Sequence, residues 1–102
     1  MDVLIYIKRL MMAEKYILTQ KAADELAADG LSEQELVEAV VFAKGISKVI
    51  RSKSIFREES REKLYIIKGR SLSNAVIYTK GVIRRYRQGD VFYVLVSSKR
   101  SL

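Results

Sequence analysis

The spacing of apolar residues changes period at Gly45, and that change constrains the fold more than any other feature of the chain. Before it, apolar side chains recur at three- and four-residue intervals; after it, they fall into short runs that alternate with polar residues. Val3, Ile7, Leu10 and Met11 fall at helical spacing and predict a first helix over 3–13, with an opening strand at VLIYI as the alternative. Tyr16-Ile17-Leu18 leads into the next element. Thr19 is an N-cap for a helix over 20–29 whose apolar stripe is Ala22, Ala23, Leu26 and Ala27, with Gly30 as its terminator. Ser32-Glu33-Gln34-Glu35 has the form of a capping box. The helix it opens buries Leu36, Val40 and Val41, with Ala39 and Ala43 beside them, and closes at Lys44-Gly45.

Beyond Gly45 the runs ISKVIRSKSIF, EKLYIIKG, NAVIYT, VIRRY and VFYVLVSS read as strands. Lys80-Gly81 is a candidate two-residue hairpin turn, and Arg87-Gln88-Gly89-Asp90 a second turn. VFYVLVSS is the most apolar run and belongs inside the sheet. Ser71-Leu72-Ser73 leaves no room for a crossover helix, so the strands connect antiparallel. The expected fold is one α+β domain over 1–102, with the N-terminal helices packed on one face of a four- to six-stranded antiparallel sheet. On the last strand, Phe92, Val94 and Val96 form a purely apolar set expected to face the helices. Tyr93, Leu95, Ser97 and Lys99 form the other set.

Charge is divided at the same point. Residues 1–45 carry eight acids and five bases, net −3; residues 46–102 carry fourteen bases and four acids, net +10; together these give the net +7 of the chain. A basic, Tyr-bearing sheet points to a polyanion, most simply RNA. Lys48, Arg51, Lys53, Arg57, Arg61, Arg70 and Arg84 give more positive charge than solubility requires.

There is no histidine and no cysteine. That removes the usual general base, the thiol nucleophile, disulfides and thiolate metal sites, and argues against zinc and haem. Glu58, Glu59 and Glu62 are bunched in one polar segment and read as solvated, so no metal site and no cofactor is expected. The N-terminal run carries Lys8 and Arg9 and is too short for a membrane span. With no export signal recognised, a cytoplasmic protein without a membrane partner is the expectation.

Val76, Tyr78 and Lys80 share one side of their strand. Were that strand a neighbour of the last, Tyr78 and Lys80 would converge with Lys99 and Arg100 to form an anion site beside a phenol. Simpler readings stand next to this one. A lysine near a terminus is usually solvated. Tyrosine is favoured in strands by β-propensity. Arg84, Arg85 and Arg87 also suit a strand edge guarded against aggregation.

Helices leading into a sheet, the segment LSEQELVEAV before KLYIIKG, then AVIYTKG and a final VFYVLVSSK together resemble the RelE/MqsR group of toxin endoribonucleases. The likeness is nearest to MqsR-like small bacterial proteins of uncharacterised function, and it spans roughly residues 17–102. It implies a catalytic tyrosine at Tyr78, in Val-Ile-Tyr-Thr-Lys, and a catalytic lysine at Lys99, in Val-Ser-Ser-Lys. It further implies an mRNA interferase of a toxin–antitoxin pair, with RNA as substrate and a small antitoxin protein as partner. Lys80, Arg84, Arg85, Arg100, Arg51 and Lys53 are then the RNA-binding cations. The related family often carries a histidine where this chain reads Thr19-Gln20-Lys21-Ala22. The alternatives are a non-catalytic RNA or DNA binder with Tyr65, Tyr86 or Tyr93 stacking on bases, and a module whose basic sheet docks an acidic protein.

Overall fold

The computed structural model describes residues 2–51 and 62–101. Helix α1 spans Val3–Met12, and the Asp2 carboxylate caps it by accepting from the Leu4 amide at 2.9 Å. Leu4, Ile7, Leu10 and Met11 are its buried residues; Val3, at the first position, stays partly exposed. The helix ends with Lys15 N–H bonded to Leu10 O and Glu14 N–H to Met11 O, and Glu14 takes a left-handed φ of 59°. That double bond is a Schellman cap. Strand β1, Tyr16–Leu18, follows.

Helix α2, Gln20–Ala28, starts where Thr19 Oγ1 accepts from the Ala22 amide. It ends in the same cap as α1, with Leu31 N–H to Leu26 O and Gly30 N–H to Ala27 O. Here the left-handed position is a glycine, Gly30, and Leu31 and Leu26 are both buried beside it. Helix α3, Glu33–Val41, opens with the complete capping box: Ser32 Oγ accepts from Glu35 N–H, and Glu35 Oε1 accepts from Ser32 N–H.

Strands β2 (Lys48–Arg51), β3 (Lys63–Arg70), β4 (Val76–Arg85) and β5 (Val91–Arg100) complete an α+β fold of three helices and five strands. The strand order is β1-β5-β4-β3-β2. The sheet is mixed and not purely antiparallel as the sequence suggested, because β1 pairs parallel with β5 through Tyr16–Tyr93, Ile17–Val94 and Leu18–Leu95. β1 also precedes α2 and α3, so the strands do not all follow the helices. Three residues are too few to be legible as a strand; β1 exists because β5 offers it an edge.

Two further expectations are corrected. Lys80-Gly81 is not a hairpin turn: β4 runs through it, and the hairpin is made by Arg87–Gly89, with Tyr86 N–H bonded to Asp90 O. Gly81 is there for a different reason. A Cβ at that position would collide with the ring and hydroxyl of Tyr93. Nor do Phe92, Val94 and Val96 join the core cluster that holds the buried helix residues. Tyr93 and Leu95 do, joining Leu4, Ile7, Leu26, Leu36, Val40, Ile67 and Ile77 in one apolar cluster. Both parities of β5 are apolar in its first half, so alternation could not choose between them.

The register shifts between Lys80 and Gly81, whose partners are Ser97 and Leu95, leaving Val96 as the extra residue of a bulge. In a regular pleat, consecutive side chains point to opposite faces. Here Ser97 and Ser98 both reach α2: Ser97 Oγ donates to Glu25 Oε1 at 2.7 Å, and Ser98 Oγ to Ala22 O at 2.8 Å. Among the described residues, no helix is long and apolar enough to cross a membrane.

Candidate functional site

Cross-strand pairing assembles a row of three residues. Lys68 of β3 is the partner of Tyr78 of β4, and Tyr78 is the partner of Lys99 of β5. The Lys99 ammonium lies 5.5 Å from the centroid of the Tyr78 ring, within cation–π range. With strands about 4.8 Å apart, Lys68 and Lys99 stand about 10 Å from each other across Tyr78. The next row runs Lys48, Ile66, Lys80, Ser97. Tyr78 therefore sits among Lys68, Lys80 and Lys99, with Lys48 one strand further out. No strand residue from β1 to β5 is an acid.

Tyr78 and Lys80 are half-buried, while Lys68 and Lys99 are exposed. The Tyr78 ring thus packs beneath Lys99, while the Lys68 and Lys99 side chains remain exposed. The chemistry such an arrangement offers is a cluster of ammonium groups beside a phenol, the groups a phosphate ligand would require.

The other sequence candidates are placed differently. Arg84 shares the Tyr78 side of β4 but is engaged by Glu62, through Nε at 3.0 Å and Nη2 at 3.3 Å. Arg85 pairs with Val91 and alternates to the opposite side. Arg100 is opposite Ile77; its amide donates to Asp29 Oδ2 at 2.7 Å and its Nη2 to Asp29 O. Arg51 pairs with Lys63, in the set of Tyr65 and not of Tyr78. Lys53 lies outside the described residues. Of the tyrosines considered for base stacking, Tyr93 is fully buried and Tyr65 nearly so, which leaves Tyr86, packed edge-on against Phe92 at 5.6 Å. Burial pushes the Tyr93 phenol well above the usual tyrosine range.

Sequence reasoning passed over two participants. Lys68 was legible in principle, since Leu64, Ile66 and Lys68 alternate, but only the β3–β4 register puts it beside Tyr78. Glu25 lies in the acidic half, yet its Oε1 accepts from both Ser97 Oγ and the Ser98 amide. Burial works to raise its pKa; the Ser97 and Ser98 hydrogen bonds, with Lys21 and Lys99 nearby, outweigh that and hold the carboxyl below its ordinary range. Glu25 thus ties α2 to the end of β5, near Lys99. Among the described residues, no three His, Cys, Asp or Glu side chains come together as a metal site would need. Compared with known proteins, the chain matches no family model, no curated protein and no solved structure.

Proposed function

We propose that this protein is a metal-independent endoribonuclease of the RelE/MqsR-like kind, an mRNA interferase that binds single-stranded RNA on the Tyr78 face of its sheet. On this reading the three helices cover the opposite face. The apolar cluster supports that arrangement, because its sheet members Tyr65, Ile67, Ile77, Tyr93 and Leu95 all belong to the register set that excludes Tyr78. The observation that carries the functional reading is the direct pairing of Tyr78 with Lys99, ammonium over ring, among Lys68 and Lys80 and without a strand acid.

The reaction is transesterification. The 2′-oxygen attacks phosphorus, and its proton passes to the Tyr78 oxygen, which must be deprotonated for the step. The bond from phosphorus to the 5′-oxygen breaks, and that oxygen takes a proton from the Lys99 ammonium. The products are a 2′,3′-cyclic phosphate and a free 5′-hydroxyl. Lys68 and Lys80 stabilise the added negative charge of the transition state. A cytoplasmic location and a small antitoxin that covers the basic face belong to the same proposal.

The test is a single-stranded RNA cleavage assay with the wild-type protein, Tyr78→Phe and Lys99→Ala. Tyr78→Phe should leave affinity nearly intact and slow cleavage by about 10²-fold or more. Equal loss of binding and cleavage, or binding without cleavage in the wild type, would favour a plain RNA-binding protein built on the same face.

A further inference from the structure

Strand β2 pairs with β3 only at residues 63–66, so among the described residues no strand lies on the outer side of β3 from Ile67 to Arg70. An open groove of about 580 Å³ lies there. One wall is Lys68 and Arg70 of β3; the other is the connection leaving α3, with Phe42, Lys44 and Gly45. Three contacts put that wall in place. Gly69 lets α3 sit directly on β3, since a Cβ there would collide with the carbonyl of Ala39. Lys8 Nζ donates to Ala43 O at 2.6 Å, and Ser47 N–H to Ile66 O at 2.8 Å.

The lining combines chemistries that match one class of ligand. Phe42 is 53% exposed, an aromatic ring left in water at the end of a helix. Lys44, Lys68 and Arg70 supply positive charge, and among the described residues no acid lines the groove. Arg70 gives one N–H to Asn74 Oδ1 at 2.8 Å, which orients the guanidinium and leaves its other donors. Lys68 belongs both to this groove and to the row with Tyr78 and Lys99, so the groove continues the site. The volume is within the usual range for small-molecule pockets, about 300–1,000 Å³.

We propose that this groove is a nucleotide subsite: a base of the bound single-stranded RNA stacks on Phe42 while its phosphate lies among Lys44, Lys68 and Arg70. The inference rests on the reading of the Tyr78 face as an RNA site and extends it by one nucleotide. It makes Phe42 a substrate-positioning residue outside the reacting centre.

The experiment compares binding of a six-nucleotide single-stranded RNA with binding of an abasic ribose-phosphate oligomer of the same length and charge. The proteins are wild type, Phe42→Ala and Gly45→Leu. Phe42 is exposed, so its truncation spares the core. Gly45 lines the groove, has no atom within 4 Å of an added Cβ and is not left-handed, so leucine there adds bulk at the groove wall without straining the backbone. Phe42→Ala should weaken RNA binding about 5- to 100-fold and leave the abasic oligomer unchanged. Gly45→Leu should weaken RNA binding as well. Unchanged RNA affinity in both variants, with salt-sensitive wild-type binding retained, would overturn the subsite and leave the phosphate site standing. Equal loss for RNA and abasic oligomer would also overturn it, because the base would then play no part. A wild-type protein that binds neither probe, or that binds polyglutamate with the same dependence on Phe42, would overturn the RNA reading itself.

Discussion

β5 and β3 meet the same problem at opposite sides of the sheet and solve it differently. Each outruns a short edge neighbour: β1 covers only Tyr93–Leu95 of β5, and β2 covers only Lys63–Ile66 of β3. Past β1, helix α2 takes over. Glu25 and Asp29, one turn apart, accept from the Ser98 and Arg100 amides at 3.1 and 2.7 Å, standing in for the carbonyls of a missing strand. Past β2 no strand follows among the described residues; the α3–β2 connection borders a cationic groove there. Carboxylates close one edge, while lysines and an arginine hold the other open. The difference shows how one sheet is closed by carboxylates on one side and left lined by cations on the other.

Four measurements would break or sharpen that contrast. The largest effect is expected from Gly69→Ala, because the added methyl meets the backbone of Ala39, which cannot rotate away. Urea unfolding should show a loss of about 3 kcal/mol; an unchanged midpoint would mean that α3 does not rest on β3 as described. Next comes Glu25→Ala, which strips acceptors from Ser97 Oγ and the Ser98 amide and should cost about 1–3 kcal/mol. Lys44→Ala, on the open side, should stay within about 0.5 kcal/mol of wild type. Equal losses from these two would erase the distinction between a closed and an open edge.

The third concerns pH. The Glu25 carboxyl is held below its ordinary range in the folded chain, so its contribution to stability is present above the unfolded carboxyl pKa of about 4.3 and is lost as pH falls through the folded value. Glu25→Gln lacks that contribution. The stability difference between the two proteins should therefore be constant at neutral pH and shrink below about pH 4. A gap that widens on acidification would contradict the assignment. The smallest effect is expected from Lys68→Ala, with near-zero change in stability. In RNA binding it should lower the slope of log K against log salt by about 0.7, one phosphate contact. An unaltered slope would remove Lys68 from the interface.

The three helices were legible because their signals are local. Thr19, Ser32 and Glu35 cap through bonds that span two or three residues, and Gly30 ends α2 by its own left-handed backbone. The face presented by β5 was not legible. Its apolar residues occupy both parities, and the bulge at Val96 changes the alternation partway along. Gly81 misled for a related reason: glycine next to lysine signals a turn locally, whereas here it makes room for the ring of Tyr93 on the neighbouring strand. Among the candidate site residues, Tyr78, Lys80 and Lys99 come together, while Arg51, Arg85 and Arg100 fall in the other register set and Arg84 is taken up by Glu62.

By itself, the sequence determined the α+β class, the division between an acidic helical half and a basic strand half, and the N-caps of the second and third helices, since these follow from composition and from interactions a few residues long; α3 ends at Val41 and not at the Lys44-Gly45 stop the sequence suggested. Tertiary structure alone decided the parallel β1–β5 pair, the β4–β5 register that sets Tyr78 opposite Lys99, and the place of Lys68 between that pair and the groove. The physical reason is the two-residue period of a strand. A slip of one position exchanges its faces, so which side chains share a site is settled by pairing between distant segments and by a single bulge, not by any pattern within one segment.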